Sequence, residues 1–237
     1  MPVTVWAADG RLGAADCERF GTGTLAQPVN AVTSLAYVAV GVIVVIAAAR
    51  TGRRHAESAI YAACLVAVGL GSFAFHGPQP IGSQPAHDLP ILLTLAFIVA
   101  YDLDSLSVPG GRRSTFAVAA VASVAVTIRQ DLVVWFIGGL GALAVVLERF
   151  VHWRGRRAGR WPTPPPPPAL AMLAVLAGLA WIGGRSSSLL CDAESPYQLH
   201  GLWHVLSAVV LGAWWWLAGA RDDSRGSMPP PARSHHE

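Results

Sequence analysis

The chain contains no lysine, and only 13% of its 237 residues are charged, against roughly 25% in an ordinary soluble domain. The missing amine excludes a retinal Schiff base, and with it a light-driven pump, because that chemistry needs a side-chain amine. Positive charge rests on arginine alone, with 17 residues in short stretches between apolar blocks. That pattern builds no continuous basic face, so nucleic acid is not an implied partner. The first 28 residues lack a basic start, an apolar core and a small-residue cleavage site. No removable signal peptide is read there, and the first helix is expected to serve as its own insertion signal.

What the chain does have is apolar length. Hydrophobic residues make up 53% of it, and they arrive in continuous blocks instead of amphipathic stripes. Such blocks match the roughly 30 Å hydrocarbon slab of a bilayer. They fall at 29–49, 58–76, 87–104, 114–128, 131–148, 169–184 and 200–220. The expectation is an all-α membrane protein, a seven-transmembrane helix bundle. Blocks four to six are shorter than the usual ~20 residues, which implies a thin or tilted bundle, or one block that is not a full span.

Arginines sort by side. Those at 50–54, 112–113, 149–160 and 221–233 lie on one side of such a bundle, and only Arg11, Arg19, Arg129 and Arg185 on the other. Cytoplasmic connections carry the excess of basic residues, so the N-terminus is expected outside and the C-terminus in the cytoplasm. The chain divides into an extracytoplasmic segment 1–28, the helical domain 29–220 and a disordered cytoplasmic tail 221–237. Pro162 and Pro164 to Pro168 read as a stiff solvated spacer on the inner side. The arginine, alanine and proline bias suggests a bacterial plasma membrane.

Polar groups inside a bilayer cost a few kcal/mol each on insertion scales, so each one in a span is a candidate functional residue. The second block ends Gly69-Leu70-Gly71-Ser72-Phe73-Ala74-Phe75-His76, placing a hydroxyl and an imidazole one helical turn apart on one face. The third opens His87-Asp88-Leu89-Pro90, and the seventh His200-Gly201-Leu202-Trp203-His204. Histidines at i and i+4 lie about 6 Å apart along one helix face, the spacing with which a helix grips a zinc ion. The arginine-derived topology brings His76, Asp88, His200 and His204 to one membrane depth on the outer side. Three imidazoles complete a catalytic zinc set and leave a fourth position for water, whose pKa falls to about 7 there. Gly201 stands where an HExxH motif has its glutamate, so a base must come from elsewhere. Asp88 is the candidate proton carrier, against the alternative of a helix N-cap. Ser72 is the candidate oxyanion donor, against a bond back to its own helix.

At these residues the chain resembles the alkaline ceramidase family, part of a wider heptahelical hydrolase group that includes the adiponectin and progestin receptors. Gly71, Ser72 and His76 resemble its second-helix GSxxxH element, Asp88 its third-helix aspartate, and His200 with His204 its seventh-helix HxxxH. The resemblance implies Zn2+ on His76, His200 and His204, with Ser72 and Asp88 assisting water attack on a lipid amide such as ceramide. The partner is then a membrane lipid with an acyl chain. Asp16, Cys17 and Glu18 resemble the family's DWCE segment, and Asn30 the asparagine of its EFxNT segment. Those acids bind Ca2+ in ceramidases. Here the tryptophan is missing and Gln27 replaces the second segment's glutamate, so Asp16, Glu18 and Asn30 leave a second, calcium site short of carboxylates. Anchoring on Leu89 and Pro90 sets His87 opposite the family aspartate, which makes His87 a spare ligand or proton carrier, against a surface histidine.

Cys17 and Cys191 both fall on the outer, oxidising side while Cys64 lies within a helix, and the resemblance points to the same Cys17 to Cys191 disulfide. Two other functions stay open on these residues. One is a lipid receptor or sensor of the same group with little turnover. The other is an intramembrane serine hydrolase using Ser72, although Leu70, Ser72 and Ala74 form no GxSxG elbow.

Overall fold

The computed structural model describes residues 12–52, 55–157 and 168–226. Among these residues seven α-helices follow one another: α1 Pro28–Thr51, α2 His55–His76, α3 Ser83–Ser105, α4 Gly111–Ile128, α5 Val133–Arg157, α6 Pro168–Gly183 and α7 Leu199–Gly226. A 3-10 turn at Gln130–Leu132 precedes α5. Among the described residues the only β-type pairing is an isolated bridge between Asp16 and Arg185. Five helices are long and apolar enough to cross a membrane, α1, α2, α3, α5 and α7, whereas α4 and α6 are shorter apolar helices. The chain is therefore a multi-pass membrane protein.

Helix ends follow local chemistry. Pro28 opens α1, where its missing N–H costs nothing and its fixed φ suits the first turn. Gly52 stops α1 in the left-handed conformation, φ 67°. The third helix begins at Ser83, earlier than the expected residue 87, because Gly82 supplies a left-handed turn and the Ser83 hydroxyl donates to the Pro80 carbonyl. His87 and Asp88 therefore sit inside α3, not at its start. The fifth helix runs on to Arg157, past the expected residue 148, with Glu148 and His152 paired at 2.8 Å across one turn. It is thus a long helix, not one of the short blocks. The seventh continues to Gly226, beyond residue 220. Residues 221–226 of the tail expected to be disordered over 221–237 are therefore helical, while 227–237 and Pro162 to Pro167 of the spacer lie outside the described residues.

Lipid tails are as apolar as leucine, so helices in a bilayer associate through close packing instead of apolar burial, and small residues mark the contacts. On α1, Gly41 lies against the Ala62 carbonyl and Val66 of α2. Gly69 of α2 lies against Ser34 and Val38 of α1, and Gly212 of α7 against Val40. The first helix thereby packs between α2 and α7, α2 on α3, α3 on α4 and α5, and α6 on α7. Tyr61, Phe97, Tyr101 and Trp214 fill the interior at ring separations of 5.2 to 6.5 Å. Val42, Ile43 and Val45 on α1 and Met172, Val175 and Leu179 on α6 face outward, as lipid-facing residues do.

One close approach positions the polar cluster. Pro90 has no N–H to bond the Ala86 carbonyl one turn earlier in α3. Gly71 of α2 packs against that carbonyl, where any Cβ would overlap it. The end of α2 carrying Ser72 and His76 is thus seated against the turn of α3 carrying His87 and Asp88.

Connections at this end complete a head to the bundle. Residues 12–27 form a strap tied to the loop before α7 by a Cys17–Cys191 disulfide, Cα to Cα 5.4 Å. Backbone bonds run from Cys17 N to Gly184 O, 2.8 Å, and from Arg19 N to Ala193 O, 3.0 Å. At its other end the strap bonds the last residues of α2, from Ala26 N to Gly77 O and Gln27 N to His76 O, 2.9 and 2.7 Å.

A Gly71→Ala substitution should drive a methyl group into the Ala86 carbonyl and destabilise the protein by about 1–3 kcal/mol, the usual cost of overpacking. Gly139→Ala, at an α5 position with open space around it, should not. Thermal unfolding in detergent followed by circular dichroism checks both; equal midpoints for the two variants would refute the close approach.

Candidate metal centre

Three imidazoles meet beneath the strap. His76 is the last residue of α2, and His200 and His204 occupy the first two turns of α7. All three are buried, at 0, 3 and 0% exposure. Ring centroids are 5.0 Å apart for His76 and His200, 5.3 Å for His76 and His204, and 4.7 Å for His200 and His204. One nitrogen of each lies within 4.8 Å of the others, and among the described residues this is the one group of three or more histidine, cysteine or acidic side chains that could hold a metal ion. The head of α7 reaches this point because Gly184 packs directly on the His200 backbone and Gly201 on Thr33 and Val29 of α1.

Hydrogen bonds define which nitrogen each ring presents. The Nδ1 of His76 lies 2.7 Å from Gln27 Oε1. Gln27 Nε2 donates to the Gly13 and Glu18 carbonyls, each at 3.0 Å. Flipping that amide would set an oxygen against two carbonyl oxygens, so Oε1 is the acceptor and Nδ1 carries the hydrogen. For His204, Nδ1 faces the Asn30 carbonyl at 3.1 Å and Thr33 Oγ1 at 3.3 Å. The Thr33 hydroxyl hydrogen is engaged with the Val29 carbonyl at 2.7 Å, so His204 is again the donor. His200 Nδ1 stands 3.2 Å from Asp16 Oδ1, close enough for an ion-pair contact though not aligned as a hydrogen bond. The Nε2 atoms of His76, His200 and His204 are all buried without a protein partner.

Buried polar atoms are rarely left unmatched. Three buried rings, each with an orphaned Nε2 and another nitrogen beside an oxygen, could hold a metal ion with outer support for its ligands. The chemistry of the set, three imidazole nitrogens, fits zinc.

The acids of the strap serve other partners. Asp16 accepts from Arg185 Nη1 at 2.7 Å. Burial pushes its carboxyl up to about 6, opposed by the positive charge of Arg185. Glu18 receives the N–H groups of Val29 and Asn30 at 2.7 and 2.8 Å, the anion that the exposed start of α1 favours. Burial raises its carboxyl as well, opposed by these two bonds. The Asn30 side chain is fully buried with neither amide atom partnered.

Asp88 is not a helix N-cap, since α3 starts after Gly82. Its carboxylate accepts from Gln84 Nε2 at 2.6 Å and from His87 Nδ1 at 2.7 Å. His87 is not a surface residue: its side chain is 14% exposed, its ring stacks on Phe75 at 4.4 Å, and its centroid is 6.1 Å from that of His76. Its Nε2 is buried and unpartnered, like those of the trio. Ser72 is buried one turn before His76. Sequence patterns alone miss Gln27 as the residue that holds His76; the one signal available is its place immediately before Pro28 at the start of α1.

Residues 18–147 match the sequence profile of the family described as Ceramidase. No curated protein matches the chain.

Detergent-purified protein should carry about one zinc per chain by elemental analysis, and His204→Ala should lose it, because two imidazoles do not make a tight site. His87→Gln should keep it. Metal that survives His204→Ala would place the ion elsewhere.

Proposed function

The chain belongs to the ceramidase family, and from that premise we propose that it is a zinc-dependent integral-membrane amidohydrolase, cleaving a ceramide-like lipid to a fatty acid and an amine. The observation that carries the proposal is the convergence of three buried imidazoles at one end of a membrane helix bundle, one nitrogen of each within 4.8 Å of the others and every Nε2 without a partner. A zinc ion held by His76, His200 and His204 would supply the Lewis acid for an amide carbonyl and a water acidic enough to attack it at neutral pH.

The chain's own groups divide the remaining work. His87 Nε2 accepts the proton of the attacking water, and Asp88 holds the ring for this by taking the Nδ1–H. Reading His87 as the proton carrier moves Asp88 from acceptor to support, the arrangement in which a carboxylate fixes an imidazole tautomer. The Ser72 hydroxyl donates to the carbonyl oxygen as negative charge gathers there. The water oxygen joins the carbonyl carbon, the C–N bond breaks, and the proton on His87 Nε2 passes to the departing amine. The arginine distribution supports an outer-side location for this end of the bundle, and the arginine, alanine and proline bias supports a bacterial plasma membrane.

Purified protein should release fatty acid from long-chain lipid amides in mixed micelles, lose that activity to a zinc chelator and regain it with added zinc. Ser72→Ala should lower kcat by about 100- to 1,000-fold, and His87→Gln by about 100-fold or more, both with zinc retained. Binding of lipid amides without product would identify a receptor or sensor instead. Inhibition by a serine-reactive probe but not by the chelator would identify a serine hydrolase.

A further inference from the structure

We infer that Gln27 is a positioning residue for the metal centre: its carboxamide holds His76 with Nε2 directed at His200 and His204. The inference rests on the metal reading above and adds a residue that occupies a single node between the strap and the site.

Gln27 is fully buried and uses every polar group it has. Its backbone N–H donates to the His76 carbonyl at 2.7 Å, while Oε1 accepts from the His76 ring at 2.7 Å. One residue thereby fixes both the main chain and the imidazole at the end of α2. Its Nε2 donors bind the carbonyls of Gly13 and Glu18. Gly13, at φ +78°, leaves its side-chain space to this pair: a Cβ there would collide with Gln27 Oε1 and come within 3.3 Å of His76 Nδ1. His76 terminates α2, so the following turn cannot restrain its ring. The strap does so instead, through this neutral amide.

The chemistry of an amide is specific here. A carboxylate in its place keeps an acceptor for Nδ1 but faces two carbonyl oxygens with no donor. An aliphatic side chain removes both functions. Positioning of the ring and cohesion of the strap are therefore separable by substitution.

Zinc affinity of the full-length protein in detergent, measured by competition with a chromophoric chelator, is the test, with thermal unfolding beside it. Gln27→Leu should bind zinc about 10- to 100-fold more weakly than the parent, the usual effect of removing an outer-shell partner. Gln27→Glu should bind zinc nearly as tightly as the parent while unfolding at a lower temperature, because the two carbonyls lose their donors. Should Gln27→Leu fail to fold, Gln27→Asn keeps the amide but withdraws it by one methylene, and should show the same loss of affinity. Parental affinity in Gln27→Leu or Gln27→Asn would overturn the role of Gln27 and leave the metal reading standing. Equal weakening in Gln27→Glu and Gln27→Leu would also overturn it, since strap cohesion and not ring position would then govern affinity. A parent that takes up no zinc removes the metal reading, and this inference with it.

Discussion

A buried imidazole has two ring nitrogens, and in a medium that excludes water each of them must be given a partner. At the head of this bundle that constraint is met in halves. The Nδ1 atoms of His76 and His204 face oxygens of Gln27 and of Asn30 and Thr33, and that of His200 stands beside Asp16 without a hydrogen bond; these oxygens come from the strap and the first turns of α1. The three Nε2 atoms are left without a partner. The strap, its disulfide and its backbone bonds to α2 and to the loop before α7 are what keep the Nδ1 partners in place. A cation held by the three rings would give those Nε2 lone pairs a partner.

The rest of the molecule follows from how such a cluster can be held without the hydrophobic effect pulling helices together. Glycines at 41, 69 and 71 bring helices into contact with neighbouring backbone and Gly212 admits the Val40 side chain, and the helices so joined, α1, α2, α3 and α7, are those that supply the trio and the His87–Asp88 pair. The remaining three helices lie outside this group, with α4 and α5 on α3 and α6 on α7. The proline of α3 contributes by omission: without a donor at Pro90, the Ala86 carbonyl is open to Gly71, and α2 sits lower on α3 than two side chains would allow.

Much of this was legible before any coordinates. Apolar block length located seven helices, and charge alternation brought His76, His200 and His204 to one depth. Helix ends were less legible, because Gly82 and the Glu148–His152 pair move them by local bonds that hydropathy does not register. The burial of His87 was not legible at all. A histidine one residue before an aspartate at the edge of an apolar block has the same composition whether it faces water or a site, and only the Gly71 contact decides between them. Gln27 looked like a missing carboxylate, since its three partners come from positions 13, 18 and 76, and no local pattern links them.

The cluster also has an order in time. The strap and the first ligand lie in the first third of the chain, whereas His200, His204 and Cys191 come near its end, with a separation of 174 residues across the disulfide. A ribosome delivers these parts in sequence. Six helices are synthesised before the last two imidazoles emerge, and Cys17 must await its partner for as long. The cluster is thus completed only at the close of synthesis, so that a chain truncated before α7 would keep its first six helices and lack two of the three imidazoles.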